Sequence, residues 1–447
     1  MSPLVLLLNP WLHDFSAYDL WLKPIGLLPL ASALKQAGAE VQFLDCLDHR
    51  HPLAAALASQ LKRRPDGRGQ LLSEEIPKPE PLRRLIPRRF KRYGLPPALV
   101  RQILAALPKP DAVLVGSLMT YWYPGVAETI ALVKEIFPET PVILGGLYPT
   151  LLPDHARLHS GADRIVAGNW EDSLPPVLAE LTGARLDLPG PLAVSPAWEL
   201  YPRLDHAALL TGRGCRFRCR YCVAHRLHPE LERRQPEVVI EEIEKIFREH
   251  GVRDFAFYDD ALLEDAENHL APLLEGLIRL HLPLRFHAAN GLSLAGLTAE
   301  LAGLLQQSGF ATLRFGLETT DPTRLRQLGP KAFINDLEQV MRNFIQAGYP
   351  AKEVGVYLLA GLPGQTLAEL EADIRAVLRL GARPYLTEYS PIPGSALWDE
   401  AVRTARYDIA SEPLFHNNTL LACAGPEWTD REMSRLKSLA RGEENDE

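Results

Sequence analysis

Three of the five cysteines in this 447-residue chain lie in one short run, Gly212-Arg213-Gly214-Cys215-Arg216-Phe217-Arg218-Cys219-Arg220-Tyr221-Cys222, with the spacing C-x3-C-x2-C. Thiolates that close in sequence converge on one metal centre. Iron-sulfur clusters are normally held by four cysteines, so a site with three leaves one iron open to another ligand. Two other readings use the same thiolates: a structural zinc site completed by Cys423, His225 or His228, and a plain electron-transfer cluster. Structural zinc sites usually pair two C-x2-C knuckles, and this chain has one. Cys46 and Cys423 are isolated and are assigned no role; Cys423 follows an apolar run and is expected to be buried.

The elements that must position this loop are legible as alternating apolar runs. Strands are expected at 208–211, 254–258, 284–289, 312–317, 354–359 and 385–389, with helical apolar periodicity at 236–250, 297–307, 335–347 and 367–380 between them. Six strand-helix units imply a partial barrel, in which chemistry gathers at the C-terminal ends of the strands. The cysteine run follows the first of these strands. Upstream, strands at 5–8, 41–44, 112–115, 142–144 and 164–167 alternate with helices near 25–37 and 126–137, as in a parallel α/β domain. The fold class is therefore α/β: an N-terminal Rossmann-like parallel sheet over 1–181 and a partial (β/α)6 barrel over 207–400. A linker with Pro189, Pro191, Pro196 and Pro202 spans 182–206, and an extension with a short helix and an acidic tail spans 401–447. An insertion at about 60–108, with Lys62-Arg63-Arg64 and the basic run from Arg83 to Arg92, reads as a solvated Pro-rich loop with a positive face, or else as a basic arm for an anionic substrate, RNA or the second domain.

Composition is ordinary for a globular chain: 47% hydrophobic, 23% charged, and a formal net charge of −8 that attracts neither nucleic acid nor an anionic membrane. The apolar residues 4–8 lack a cationic segment before them and stop at Asn9-Pro10, so they read as a buried strand and not as a signal peptide. No run approaches the roughly 20 apolar residues of a membrane span. The expected location is the cytoplasm, whose reduced thiols favour a metal site over disulfides.

The C-x3-C-x2-C spacing, with an aromatic residue before the last cysteine on the first loop of a six-unit β/α barrel, resembles the radical S-adenosylmethionine (SAM) superfamily. The resemblance implies a [4Fe-4S] cluster on Cys215, Cys219 and Cys222. Its open iron would chelate the SAM amino and carboxylate groups, and reductive cleavage would give a 5'-deoxyadenosyl radical that abstracts hydrogen. It also implies SAM contacts at strand ends: Tyr221 beside the adenine, Tyr258-Asp259-Asp260 at the ammonium, Asn290 and Glu318 at the ribose and methionine part, and the turn Gly361-Leu362-Pro363-Gly364 at the adenine. An electron donor such as flavodoxin or ferredoxin follows from the same chemistry. No residue is singled out as catalytic in the sense of an acid, a base or a hydrogen donor.

An α/β domain followed by such a barrel resembles the cobalamin-binding subgroup of that superfamily. Lys23-Pro24-Ile25-Gly26-Leu27, Ser117 and Gly145-Gly146 fit that subgroup and would lie at the strand C-termini, where open α/β sheets bind ligands. The segment Asp45-Cys46-Leu47-Asp48-His49-Arg50-His51 lacks the D-x-H-x-x-G pattern that gives cobalt a histidine. Either cobalamin binds without one or the domain serves a substrate or partner; His49 and His51 read as exposed loop histidines. The aromatic run Tyr121-Trp122-Tyr123 would stack on a corrin face or a planar substrate, or pack between domains. The expected function is radical chemistry on an unknown substrate, with cobalamin-dependent methyl transfer the leading outcome. The alternatives are a nucleic-acid-binding protein with a structural metal and an iron-sulfur electron carrier.

Overall fold

An apolar run without polar alternation suits a strand covered on both faces, and Leu4–Asn9 (β1) is one, its four central residues buried. The computed structural model describes residues 2–329 and 334–443, and the chain divides into two compact units, Met1–Asp205 and His206–Glu447.

In the first unit β1 lies between Glu40–Asp45 (β2) and Ala112–Val115 (β3), followed outward by Val142–Leu144 (β4) and Arg164–Ile165 (β5), all parallel. The order 2-1-3-4-5 puts the topological switch point between β1 and β3. Alternation along β1 feeds two cores. Leu6 and Leu8 pack with Val100 and Leu104 of Pro97–Ala106 (α2) and with Val126, Ile130 and Val133 of Tyr123–Ile136 (α3). Val5 and Leu7 pack with Leu27, Leu30 and Leu34 of Leu27–Gln36 (α1) and with Leu174 and Leu178 of Trp170–Thr182 (α4).

Two expectations for this unit need correction. The insertion is folded: Lys91–Tyr93 pairs antiparallel with Leu12–Asp14 and with Ser73–Glu75, and α2 lies in the core. Its apolar residues Leu82, Ile86, Phe90, Tyr93 and Leu95 are buried, but they follow no single period because the chain passes from short strands to a helix. Part of its positive charge is spent: Arg92 pairs with Glu74 and Glu128, Arg83 with Glu80, Arg89 with Glu75, and Arg88 lies over the Phe15 ring. The Pro-rich segment after α4 is no open tether either, since Leu188 and Ala197 join the core of α1 and Trp198 and Tyr201 are buried.

The second unit holds six parallel strands in sequence order: Ala207–Leu209 (β6), Asp254–Phe257 (β7), Arg285–Ala288 (β8), Phe310–Glu318 (β9), Val354–Ala360 (β10) and Arg383–Glu388 (β11). Helices Pro236–His250 (α5), Leu270–Arg279 (α6), Ala299–Ser308 (α7), Ile334–Gln346 (α8) and Leu367–Arg379 (α9) fall between successive strands after β6. Phe255, Phe257, Phe286 and Phe310 stack into one aromatic cluster beneath β7 to β9. Asp430–Ala440 is the short C-terminal helix, and Lys437 reaches Glu388 of β11 at 2.5 Å; the acidic end beyond 443 lies outside the described residues. No helix among the described residues is long and apolar enough to cross a membrane.

Candidate active site

The cysteine loop is closed at its base. Gly212–Arg213 pairs antiparallel with Glu232–Arg233 immediately after β6, so residues 214–231 form a loop whose ends meet. Gly214 makes this closure sterically possible: its φ is +92°, and a Cβ there would stand 1.9 Å from the Glu230 carbonyl oxygen. Further anchors hold the loop. The Arg220 N–H donates to the Leu328 carbonyl at 2.9 Å, the Leu397 N–H donates to the Arg220 carbonyl at 2.8 Å, Arg216 pairs with Glu264, and Arg226 donates to the Gly394 carbonyl.

Within this frame Cys219 is buried and Cys215 and Cys222 are half-buried, all three as free thiols. The Ala224 N–H donates to the Cys222 Sγ at 3.4 Å, a contact that a thiolate strengthens. Burial pushes the Cys215 thiol up to about 11, with Glu264 adding to it and the Phe217 N–H opposing it. A positively charged metal centre reverses that balance by binding the thiolate. Among the described residues no group of three or more His, Cys, Asp or Glu side chains converges on a single-ion site, whereas a cubane takes one thiolate at each of separate irons. The donor set fits such a cluster with one iron open. Cys423 is buried with its thiol against the Ala401 carbonyl, and Cys46 is buried in the first unit.

The strand ends bring several of the expected residues together. Tyr221 donates to the Glu318 carboxylate at 2.7 Å; burial and then the Glu318 charge push the phenol up, so it stays a donor. Glu318 ends β9 with φ +70°, at a register shift against β10 between Gly316 and Glu318. Such a bulge re-aims one side chain, and a left-handed glutamate is strain of the kind held at functional sites. The Asn290 amide donates to the carbonyls of Tyr258 at 2.8 Å and Asp259 at 3.3 Å, and Asp260 accepts the Gly214 N–H. The Gly361 to Thr366 turn is tied by Gln365, whose side-chain oxygen accepts from the Gly361 and Leu362 N–H groups and whose amide donates to the Leu359 carbonyl. Leu362 stands apart, 1% exposed, so a ligand would meet the backbone of this turn and not that side chain.

Asp259 is differently employed from the other strand-end carboxylates. Its side chain accepts from the Thr211 hydroxyl at 2.7 Å and N–H at 3.2 Å, and Arg233 lies 3.4 Å away. Thr211 also contacts His269 at 2.9 Å, whose imidazole is pulled down to about 4, chiefly by burial. Thr211, Arg233 and His269 are not singled out by the sequence, because what joins them to Asp259 is contact across the sheet and not spacing along the chain. Burial pushes the Asp259 carboxyl from 3.8 up to about 6 against the pull of Thr211 and Arg233. A carboxyl with a raised folded-state value favours the fold while protonated, so that contribution is complete below about pH 4 and is lost as pH rises through about 6. The melting temperature of Asp259→Asn relative to the wild type should therefore rise from about pH 4 to pH 7, by the equivalent of at most about 3 kcal/mol. A difference independent of pH would show that the carboxyl is not titrating there.

In the first unit, the strand ends at the switch point carry a separate surface. Gly146 has φ +100°, and a Cβ on it would lie 2.1 Å from the Ser117 carbonyl, while the Ser117 hydroxyl donates to the Gly145 carbonyl at 2.7 Å. Leu118 and Met119, just after β3, are each 40% exposed; the sequence signal for them was an apolar pair directly after a strand. Trp122 is held by Asp14 at 2.6 Å and Tyr121 is buried, so that aromatic run is mainly structural. Lys23 is buried with its ammonium over the Tyr201 ring. Asp45 accepts from Asn9, Tyr201 and the Leu47 N–H, closing β1 onto β2. The expected exposed His49 is instead 4% exposed and bound to Asp205 at 3.1 Å, burial lowering its basicity. His51 turns back to accept the Leu53 N–H.

A parallel β/α sheet opening on a closed triple-cysteine loop, with polar groups gathered at its strand ends, is the arrangement of an enzyme that carries its cofactor at the strand ends. Residues 209–377 match the family model of the radical SAM superfamily, a domain type that implies a [4Fe-4S] cluster and SAM. Cytidylyl-2-hydroxyethylphosphonate methyltransferase of Streptomyces wedmorensis is 22% identical over 90% of this chain and 82% of its own. Hopanoid C-2 methylase of Rhodopseudomonas palustris is 25% identical over 60% of this chain and 53% of its own. The fold is shared with the radical SAM methyltransferase TsrM of Kitasatospora setae, solved with cobalamin and a [4Fe-4S] cluster bound. That structure has a TM-score of 0.65 and 18% identity, over 91% of this chain and 76% of that one.

Proposed function

We propose that this chain is a cobalamin-dependent radical SAM methyltransferase acting at an unactivated carbon, with its cluster on Cys215, Cys219 and Cys222 and its corrinoid at the β1/β3 switch point. The observation that carries the reading is the alignment of nine-tenths of the chain, both units included, with a protein solved with cobalamin and a [4Fe-4S] cluster bound. The likeness to two methyltransferases in sequence supports the same outcome. Bound there, a cluster would supply the electron for reductive cleavage of SAM and a corrinoid would supply a carrier for the methyl group.

This chain's residues bind and orient. Glu318, steadied by Tyr221, accepts from the SAM ribose hydroxyls. The carbonyls that Asn290 aligns, with Asp260 beside them, accept from the ammonium, and the Gly361 to Gly364 turn meets the adenine through its backbone. Gly146 lets its backbone pack closely on Ser117, and beside this pair Leu118 and Met119 offer the exposed apolar surface on which a corrin ring would rest. Leu47 stands where the subgroup has its histidine and His49 is committed to Asp205, so neither position gives cobalt a histidine. The electron donor is a small carrier such as flavodoxin or ferredoxin.

Anaerobic reconstitution followed by metal and corrinoid analysis tests the proposal, with about four irons and one corrinoid per chain expected. Iron without corrinoid would leave a radical SAM enzyme whose first unit serves another purpose. Glu318→Gln should keep its iron and weaken SAM binding about ten-fold; unchanged affinity would remove Glu318 from the SAM site.

A further inference from the structure

Four arginines converge on one cavity of the first unit, in a chain whose net charge is −8. The cavity, of about 490 Å³, is lined by Arg50, Arg63, Arg64 and Arg203 together with His49, and Asp205 is its one carboxylate. Arg63 is the fixed member: its guanidinium donates to Asp19 at 2.7 Å and to the Gln70 carbonyl at 3.0 Å and lies 3.7 Å from Asp205. Its buried Nε has no acceptor among the described residues. Arg50, Arg64 and Arg203 are exposed, and none of the three pairs with a carboxylate among the described residues. Most other arginines of the insertion behave differently, since Arg68, Arg83, Arg89, Arg92 and Arg101 each have a carboxylate partner. Unpaired guanidiniums around a concavity repel one another, an arrangement that a multiply charged anion relieves.

We propose that this cavity is a binding site for a small molecule carrying a phosphate or diphosphate group. Planar guanidinium forks match phosphoryl oxygens two at a time; the exposed Arg50, Arg64 and Arg203 can offer them, while Arg63, held by Asp19 and the Gln70 carbonyl, adds fixed positive charge to the wall. A cavity of this volume has the size of a small-molecule site. A nucleic acid backbone would instead call for an extended basic surface, and in the basic run 83–92 Arg83, Arg89 and Arg92 are paired with carboxylates. None of the residues lining the cavity belongs to the strand-end surface at Ser117 and Gly146, and the proposal does not depend on the cofactor reading.

The test is calorimetric titration of the full chain with inorganic pyrophosphate at low ionic strength, in the wild type and in Arg64→Gln, Arg203→Gln and the double variant. Both side chains are exposed, so the variants should melt as the wild type does. Binding in the micromolar range is expected, weakened about ten-fold by each single change and further by the double one. No heat at millimolar pyrophosphate, or equal affinity in the double variant, overturns the proposal. With saturating hydroxocobalamin present the affinity should move less than about two-fold; a loss of about ten-fold or more would assign these arginines to a corrinoid phosphate and overturn it as well. So would a single-stranded RNA that binds more tightly than pyrophosphate and is lost in the same variants.

Discussion

Replacing Cys219 with alanine should give a folded chain that holds at most a small fraction of its iron and consumes SAM at least about a thousand-fold more slowly. The expectation rests on how the loop is built. Its shape is set by the hairpin at 212–213 and 232–233 and by the Leu328 and Leu397 backbone bonds, none of which uses a thiol. Removing one sulfur from a buried position therefore costs on the order of 1 kcal/mol in packing, while a cluster left with two protein thiolates loses a third of its anchorage. Iron and sulfide content, the visible thiolate-to-iron absorption, and the melting temperature of the metal-free protein separate the two effects. A variant that kept about four irons would exclude Cys219 as a ligand, whatever its activity.

Gly214→Ala should have a comparable effect by a different route. A non-glycine residue at φ +92° costs about 1–2 kcal/mol, and the added Cβ meets backbone atoms that cannot rotate away: the Glu230 oxygen at 1.9 Å, its carbon at 2.8 Å and the His228 oxygen at 3.1 Å. The hairpin must open to relieve this, and Cys215 moves with it. A stability loss of about 3 kcal/mol or more in denaturant is expected, together with poor cluster retention. A variant with full iron and a loss below about 1 kcal/mol would mean that the loop closes in some other way. The thiols are intact in this variant, so its failure would trace to the loop's closure and not to ligand chemistry.

How much of this was readable beforehand depended on the range of the interaction. The C-x3-C-x2-C spacing is local, and three donors within eight residues must share a neighbourhood whatever the rest of the chain does. The parallel strands were readable because a strand buried on both faces is an unbroken apolar run, as in β1 and β10. The insertion was misread for the converse reason, since its core residues Leu82, Ile86, Phe90 and Val100 lie in a four-residue helix, the loop after it and α2, and obey no single period. His49 looked like an exposed loop histidine because nothing near it in sequence announces Asp205, 156 residues away.

Residue types and short spacings thus specified the cluster chemistry, the alternation of strands and helices, and which residues would stand at strand ends. The tertiary structure alone decided which of those residues act together. Tyr221 and Glu318 are 97 residues apart and joined by one hydrogen bond, Asp259 is spent on Thr211, and Leu362 is buried. It also decided that Arg50, Arg63, Arg64 and Arg203 surround one cavity. The physical reason is that hydrophobic periodicity and backbone propensity are properties of neighbours along the chain. Charge pairing and desolvation depend on neighbours in space, which exist only after the sheets have assembled.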